Sequence, residues 1–349
     1  MRKIWFVLVL ALSLVSAAVG QQTTISEEFR GETIKSILQL LKDKYAYPEI
    51  AQKMETAIRE KQKRGEYDSI SDGDKLAAKI TADLRSVFDD KHLKLSYSAQ
   101  PIPVNSGKAG APSAEEIERA RRRQRRENFG LAKVEILKGN VGLIQLNYFA
   151  PLDWASDTLA AGMNVVVNTD ALIFDVRSNT GSYDIDTVPF VCSYLFDKPI
   201  QISDIFSREA NETRQLWTYA KVPGKKFLDK PVFILTSRKT ASGAEAFVSG
   251  LKRLNRAVLV GETTMGATMP GMSHRVNEHF SIWISTGRGA SASAGNENKG
   301  ISPDFSIAPE KALNAAYLQA LNQILQNATD EEWKTQLKNI AAEITGEKL

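Results

Sequence analysis

The chain has 349 residues, of which 43% are hydrophobic and 25% are charged. These fractions exclude a disordered or collagen-like chain, and the length suggests about two domains. The net charge is +4, and without Arg2 and Lys3 it would be about +2, which gives no electrostatic case for binding nucleic acid. A single cysteine, Cys192, excludes an intramolecular disulfide and a cysteine-based zinc site. The sequence has only three histidines, which leaves little material for a metal site, and we expect no metal and no cofactor.

Residues 1–20 have the pattern of a secretory signal peptide. Met1-Arg2-Lys3 is basic, the run from Ile4 to Val19 is almost wholly apolar, and small residues precede Gln21. The alternative is an uncleaved anchor, but this apolar run is shorter than the roughly 20 residues that span a bilayer. We therefore expect an exported protein, periplasmic or extracellular, with no stable membrane insertion after the signal is removed.

Residues 21–98 are predicted to form an N-terminal helical domain. Apolar residues recur at helical spacing from residue 27 to residue 88, and the next few alternate as in a strand. Residues 99–130 are predicted to be a linker followed by a charged helix. The arginines of that helix suggest either an anionic partner or a solvated surface, and we favour the solvated surface because its leading glutamates suit a helix N-terminus.

Beyond residue 131 the pattern changes to short apolar strands that alternate with amphipathic helices. This alternation predicts an α/β domain over residues 131–310, with a largely parallel sheet covered by helices. Residues 311–349 are predicted to be closing C-terminal helices.

The most informative segment runs from Pro231 to Phe247, where a buried strand leads through small polar residues into a helix. Ser242 is predicted at the helix N-terminus, where unpaired backbone amides favour negative charge. Gly243 would leave its amide open to a substrate carbonyl, as an acyl-transfer nucleophile requires. The simpler alternative is that Ser242 only caps the helix. A second turn, residues 175–182, follows another predicted strand at the sheet edge where sites of α/β proteins form.

Four ordered motifs resemble the tail-specific (C-terminal processing) serine protease family. They are Leu235-Thr-Ser-Arg-Lys-Thr-Ala-Ser-Gly-Ala-Glu245, Val260-Gly-Glu-Thr-Thr264, Glu297-Asn-Lys-Gly-Ile-Ser-Pro-Asp304 and the turn at 175–182. The segment Asp90-Lys-His-Leu93 is similar to the tricorn-like branch, which includes the interphotoreceptor retinoid-binding protein repeats. The resemblance covers roughly residues 27–320.

This resemblance implies a crotonase-like α/β catalytic core behind the N-terminal helical bundle, and it assigns the site residues. Ser242 would be the nucleophile, His92 the base and Glu297 the carboxylate behind the base. Gly243 and Gly181 would supply the oxyanion amides. The implied substrate is a peptide or an unfolded protein.

The chain also departs from the family pattern. The processing branch uses a lysine as the base, but here Gly266 and Ala267 stand where it would be. Lys239 is an alternative base, although we expect it to face solvent. Lys91 stands beside His92 in place of a serine, and Ser182 replaces a second glycine. We expect an exported serine peptidase; the alternative is a catalytically reduced homologue that binds apolar ligands or protein partners.

Overall fold

The structure is a computed structural model that describes residues 25–104, 113–289 and 298–346. The predicted signal peptide and Glu297 lie outside these described residues. The helices in the described ranges are α1 (Glu27–Lys44), α2 (Pro48–Lys63), α3 (Gly73–Val87), α4 (Ala114–Arg126), α5 (Leu152–Val166), α6 (Thr187–Cys192), α7 (Gly243–Arg253), α8 (Pro309–Asn327) and α9 (Glu331–Thr345). Short 3₁₀ turns lie at Asn128–Gly130 and Ser193–Leu195.

The strands in the same ranges form three sheets. In chain order they are β1 (Lys94–Tyr97), β2 (Leu131–Leu137), β3 (Val141–Leu146), β4 (Ala171–Asp175), β5 (Gln201–Ser207), β6 (Glu212–Trp217), β7 (Val232–Thr236), β8 (Val258–Gly261), β9 (Gly271–Arg275), β10 (Phe280–Ser285), β11 (Gly287–Arg288) and β12 (Phe305–Ser306).

The largest sheet has the order β12-β8-β7-β4-β3-β2 and is parallel except for the β2–β3 pair. Alternate residues of its buried strands point to opposite faces. Phe174 and Ile234 pack with α5, α6 and α7 on one face, whereas Ile173 and Phe233 pack with α8 and α9 on the other. This is the predicted α/β core, with helices covering both faces of the sheet.

The helices α1, α2 and α3 form a second body at the N-terminus. Their apolar faces meet around residues such as Leu41, Met54 and Leu76, all of which are fully or almost fully buried. Phe280 and Ile282 of β10 belong to the same core, and β10 pairs with β1 on one side and β9 on the other. The N-terminal body is therefore completed by a segment that follows α7 in sequence.

The third sheet, in the order β11-β5-β6, was not predicted. It lies beside α7, where a side chain at Gly250 would overlap Ile202 of β5. The charged helix α4 begins with a capping box formed by Ser113 and Glu116, and among its residues only Gln124 is buried. Among the described residues, no helix combines the length and the apolar character needed to cross a bilayer.

Candidate functional site

Ser242 lies immediately before α7, after the loop that leaves the carboxyl end of β7. Its backbone has φ 55° and ψ −123°, a conformation that L-residues rarely adopt. The Ser242 amide donates to the carbonyl oxygen of Ala267 at 2.8 Å, and this bond helps to fix the turn. Strain of this kind persists only where the surroundings impose it, and it concentrates at functional sites.

Glu245, in the first turn of α7, ties this turn to the segment after β8. Its buried carboxylate accepts hydrogen bonds from the Thr264 hydroxyl at 2.5 Å and from the Gly266 and Ala267 amides at 2.8 and 2.7 Å. It also accepts from the Ser242 amide at 3.1 Å. Burial raises the pKa of Glu245, and the four hydrogen bonds act against that rise. The segment where the processing branch has its lysine is here held by a carboxylate.

The turn after β4 packs directly against Ser242. A β-carbon at Gly181 would stand 2.7 Å from the Ser242 β-carbon and 3.2 Å from its hydroxyl oxygen. Asn179 is buried and anchors the turn: its side-chain amide donates to the Leu146 carbonyl oxygen at 3.0 Å, and its side-chain oxygen accepts from the Gly181 amide at 2.9 Å.

The two predicted oxyanion donors differ in this structure. Gly243 has its amide at the N-terminus of α7, where helix amides are unpaired. The Gly181 amide is already bonded to Asn179. The Ser182 amide nitrogen lies 2.8 Å from the position that a β-carbon of residue 243 would take, so Ser182 offers the backbone amide next to Gly243. The Ser182 hydroxyl turns back and donates to the Asp184 carbonyl oxygen.

His92 comes from the other body, in the loop between α3 and β1. Its ring stacks on Trp283 of β10 with the ring centroids 6.2 Å apart and the planes inclined by 28°. The Nδ1 atom is buried and has no hydrogen-bond partner among the described residues. Burial lowers the pKa of His92 below its ordinary value of 6.5, Asp90 acts to raise it, and Arg85 lowers it further. A histidine in this environment is neutral near pH 7 and can accept a proton.

One cavity of about 450 Å³ brings these residues together. Ser242, Gly243, Glu245, Ser182 and His92 all line it. Its apolar wall includes Val188, Ile205, Leu216, Trp283 and Ile301. The cavity therefore lies between the N-terminal body, which supplies His92, and the α/β core, which supplies Ser242.

The remaining predicted residues have different positions. Gly181 contacts Ser242 but does not line the cavity, and Lys239 is exposed and lies outside the cavity lining. Glu297 is outside the described residues, although its chain neighbour Asn298 lines the cavity. Sequence reasoning missed Glu245 and Trp283. The spacing of Ser242 and Glu245, a serine followed three residues later by a glutamate, was the available signal for Glu245.

Two family models match this chain. Residues 140–307 match peptidase family S41, and residues 25–126 match the N-terminal domain of peptidase S41 in eukaryotic IRBP. The chain belongs to peptidase family S41. The second match agrees with the resemblance to the branch that contains the retinoid-binding repeats, and S41 membership agrees with the tail-specific serine protease motifs.

A curated relative is also similar in sequence. Carboxyl-terminal-processing peptidase 1, chloroplastic, from Arabidopsis thaliana is 25% identical over 220 residues, which are 60% of this chain. The match spans 42% of that relative's length.

Two solved structures share the fold of this S41 member. A candidate peptidase from Parabacteroides merdae has a TM-score of 0.58 at 16% identity, covering 86% of this chain and 99% of the other. A lipoprotein from Streptococcus agalactiae has a TM-score of 0.50 at 17% identity, covering 83% of this chain and 96% of the other. At these identities the likeness concerns the fold alone.

Proposed function

We propose that this S41 member is an exported serine peptidase in which Ser242 is the nucleophile and His92 the general base. One observation carries the proposal: Ser242 and His92 come from different bodies of the molecule and line the same cavity. A nucleophile and a base facing one cavity are what acyl transfer requires. The rare backbone conformation of Ser242 at the start of α7 also supports this role.

The proposed reaction is hydrolysis of a peptide bond through an acyl-enzyme. His92 takes the proton of the Ser242 hydroxyl as its oxygen attacks the substrate carbonyl, and then gives that proton to the leaving amine. Water subsequently attacks the acyl-enzyme, with His92 again accepting and returning a proton. The Gly243 amide and an amide of the Gly181–Ser182 turn stabilise the negative oxygen that forms on each attack. Glu297 is proposed to orient the imidazole and to stabilise its protonated form.

Export and substrate belong to the same proposal. The basic and then apolar sequence of residues 1–20 supports signal cleavage, so mass spectrometry of the protein from its host is expected to find a start near Gln21. An intact Met1 or Arg2 on a cytoplasmic protein would refute export. The proposed substrates are peptides or unfolded proteins, because residues 140–307 match a peptidase family and the cavity has an apolar wall.

Covalent labelling tests the nucleophile. A fluorophosphonate probe is expected to label Ser242 in the folded protein, and Ser242→Ala should abolish labelling and lower peptide hydrolysis by about a thousandfold or more. Ser249→Ala is the matched control, because Ser249 also lines the cavity and its hydroxyl donates to a carbonyl oxygen of its own helix. That variant should keep both labelling and hydrolysis. Undiminished hydrolysis by folded Ser242→Ala would end the serine-peptidase proposal.

A second candidate function is non-catalytic binding of an apolar ligand, which the apolar wall of the cavity favours. In that case Ser242 would resist the probe, while a fluorescent fatty acid or retinoid would bind and would be lost on Leu216→Glu. The peptidase proposal instead expects labelling of Ser242 and competition of the label by peptide substrate.

A further inference from the structure

The loop that carries His92 is fixed by two oppositely charged side chains. Asp90 is fully buried, and one of its carboxylate oxygens accepts hydrogen bonds from the backbone amides of His92 at 2.9 Å and Leu93 at 3.3 Å. Its other carboxylate oxygen accepts from the Tyr45 hydroxyl at 3.1 Å. Asp90 therefore joins the His92 loop to the end of α1.

Arg85, in the last turn of α3, holds the same loop through its carbonyl groups. Its Nε donates to the Leu93 carbonyl oxygen at 2.9 Å, and a terminal guanidinium nitrogen donates to the Lys91 carbonyl oxygen at 2.7 Å. The residues on both sides of His92 are thus tied to the guanidinium. Asp90 holds the amides of the loop while Arg85 holds its carbonyls, so the backbone of His92 has little freedom to move.

We propose that Arg85 and Asp90 are a pair of positioning residues: together they fix the His92 loop, and their opposite charges set how readily His92 accepts a proton. This inference rests on the proposed role of His92 as the base. It assigns a function to two charged side chains that do not line the cavity and act only through His92.

The charges around His92 support the role that the hydrogen bonds of the loop indicate. The Asp90 carboxylate favours protonated His92 and raises its pKa, whereas the Arg85 guanidinium and burial both lower it. Charged groups also face the cavity from other elements: Glu245 in α7, Asp184 after the glycine turn, Asp204 in β5, and Lys299 beside Asn298. These groups are unchanged in every variant of Asp90 and Arg85, so a difference in the pKa of His92 between two such variants reports on the His92 loop itself.

The test measures the pKa of His92 directly in the full chain, by NMR titration of protein labelled with ¹³C in histidine. The chain has three histidines, and His92→Gln identifies the His92 signal by its loss. Asp90→Asn keeps the shape and removes the negative charge, so the pKa of His92 should fall. Arg85→Gln removes the positive charge, so the pKa should rise. The acidic limb of kcat/KM against pH should move with the pKa in each variant.

Two further variants separate charge from position. Arg85→Lys keeps the charge but cannot hold both carbonyl groups in the same geometry, so kcat should fall while the pKa of His92 stays close to that of the parent. Tyr45→Phe removes one hydrogen bond to Asp90 and keeps both charges, so it should move the pKa less than Asp90→Asn does.

Shifts of the same sign in Asp90→Asn and Arg85→Gln, or no shift in either, would overturn the inference. If Asp90→Asn does not fold, the two Arg85 variants decide the matter: an unchanged pKa in Arg85→Gln contradicts it. Failure of the proposed function looks different: either the parent would then hydrolyse no peptide, or His92→Ala would retain full hydrolysis, whatever the NMR titrations show.

Discussion

The two sides of the cavity are built in different ways. Ser242 follows a buried strand of a parallel sheet, and the backbone around it is fixed by hydrogen bonds to Ala267 and Glu245. His92 lies in a short loop between a helix and an edge strand, and charged side chains hold that loop. The serine side therefore depends on the fold of the core, whereas the histidine side depends on a few polar contacts. Substitutions on the serine side should therefore lower the free energy of unfolding, whereas substitutions on the histidine side should change the protonation of His92.

The largest effect is expected from Glu245→Ala, which attacks the serine side. The change leaves the buried Gly266 and Ala267 amides without their acceptor, and an unsatisfied buried group costs about 1–3 kcal/mol. We expect the free energy of unfolding to fall by about 3 kcal/mol, together with loss of hydrolysis, because the Ser242 turn loses its anchor. Urea denaturation measures the first effect and a peptide assay the second.

Glu245→Gln is the control for this prediction, since glutamine keeps the size and one acceptor oxygen. It should destabilise the protein less than Glu245→Ala. Equal stability of the parent and the alanine variant would show that the carboxylate does not hold the Ser242 turn.

The next largest effect is expected at the contact between the oxyanion turn and the helix start. A β-carbon at Gly243 would collide with the Ser182 β-carbon, so Gly243→Ala must displace one of the two segments. We expect a cost of about 1–3 kcal/mol from overpacking and a loss of hydrolysis. Ser182→Gly removes one half of the collision, so the double variant should recover part of the loss.

A double-mutant cycle of activity and stability measures this coupling, which should be about 0.5 kcal/mol or more for residues in contact. Recovery should stay partial, because the Ser182 backbone would still crowd residue 243. Strict additivity of the two changes would mean that the collision is relieved elsewhere.

A smaller effect is expected from pH, and it reports on the histidine side. Burial lowers the pKa of His92, so its neutral form is favoured in the folded protein. The rate of hydrolysis should rise with pH through a midpoint below 6.5 and reach its plateau near neutrality. Because the pKa of His92 is lower in the folded than in the unfolded protein, His92 makes its full contribution to the free energy of unfolding above pH 6.5. That contribution is lost as the pH falls through the lower folded-state pKa.

Titration of kcat/KM checks the activity, and thermal melts of the parent against His92→Gln check the stability. The glutamine variant should lose less stability on acidification than the parent. A midpoint clearly above 6.5 would contradict a buried histidine base.

The contrast between the serine side and the histidine side also explains which structural features could be predicted from the sequence. Strands such as β4 and β7 are wholly buried and are apolar up to their last residue, and α7 follows β7 through small polar residues, so the α/β core and the place of Ser242 were readable from local pattern. The position of Gly243 at the helix start was readable for the same reason. These features depend on residues that are neighbours in sequence.

Long-range features were not readable from local pattern. β5 and β6 are partly exposed and lack a clear alternation, so the third sheet was missed. The packing of β10 on the N-terminal helices joins segments far apart in the chain. The roles of Arg85 and Asp90 depend on their contacts with backbone groups, which no side-chain spacing reveals. His92 was proposed only through a family resemblance, because a single histidine after a helix has no distinctive local pattern.

The smallest effect is expected from Lys239→Ala, which tests whether Lys239 on the serine side, and not His92, is the base. Lys239 precedes Ser242 in the same loop, but it is exposed and lies outside the cavity lining. Its backbone amide donates to the Ser237 hydroxyl, and this bond survives the change to alanine. We expect hydrolysis to stay within about twofold of the parent and stability to change by less than about 0.5 kcal/mol, as for most surface substitutions. Arg238→Ala is the matched control, because this neighbouring cation is exposed and its ion pair with Glu262 lies at the surface. If Lys239→Ala alone abolished hydrolysis while His92→Ala did not, the base would belong to the serine side and the cavity would not need the N-terminal body for its chemistry.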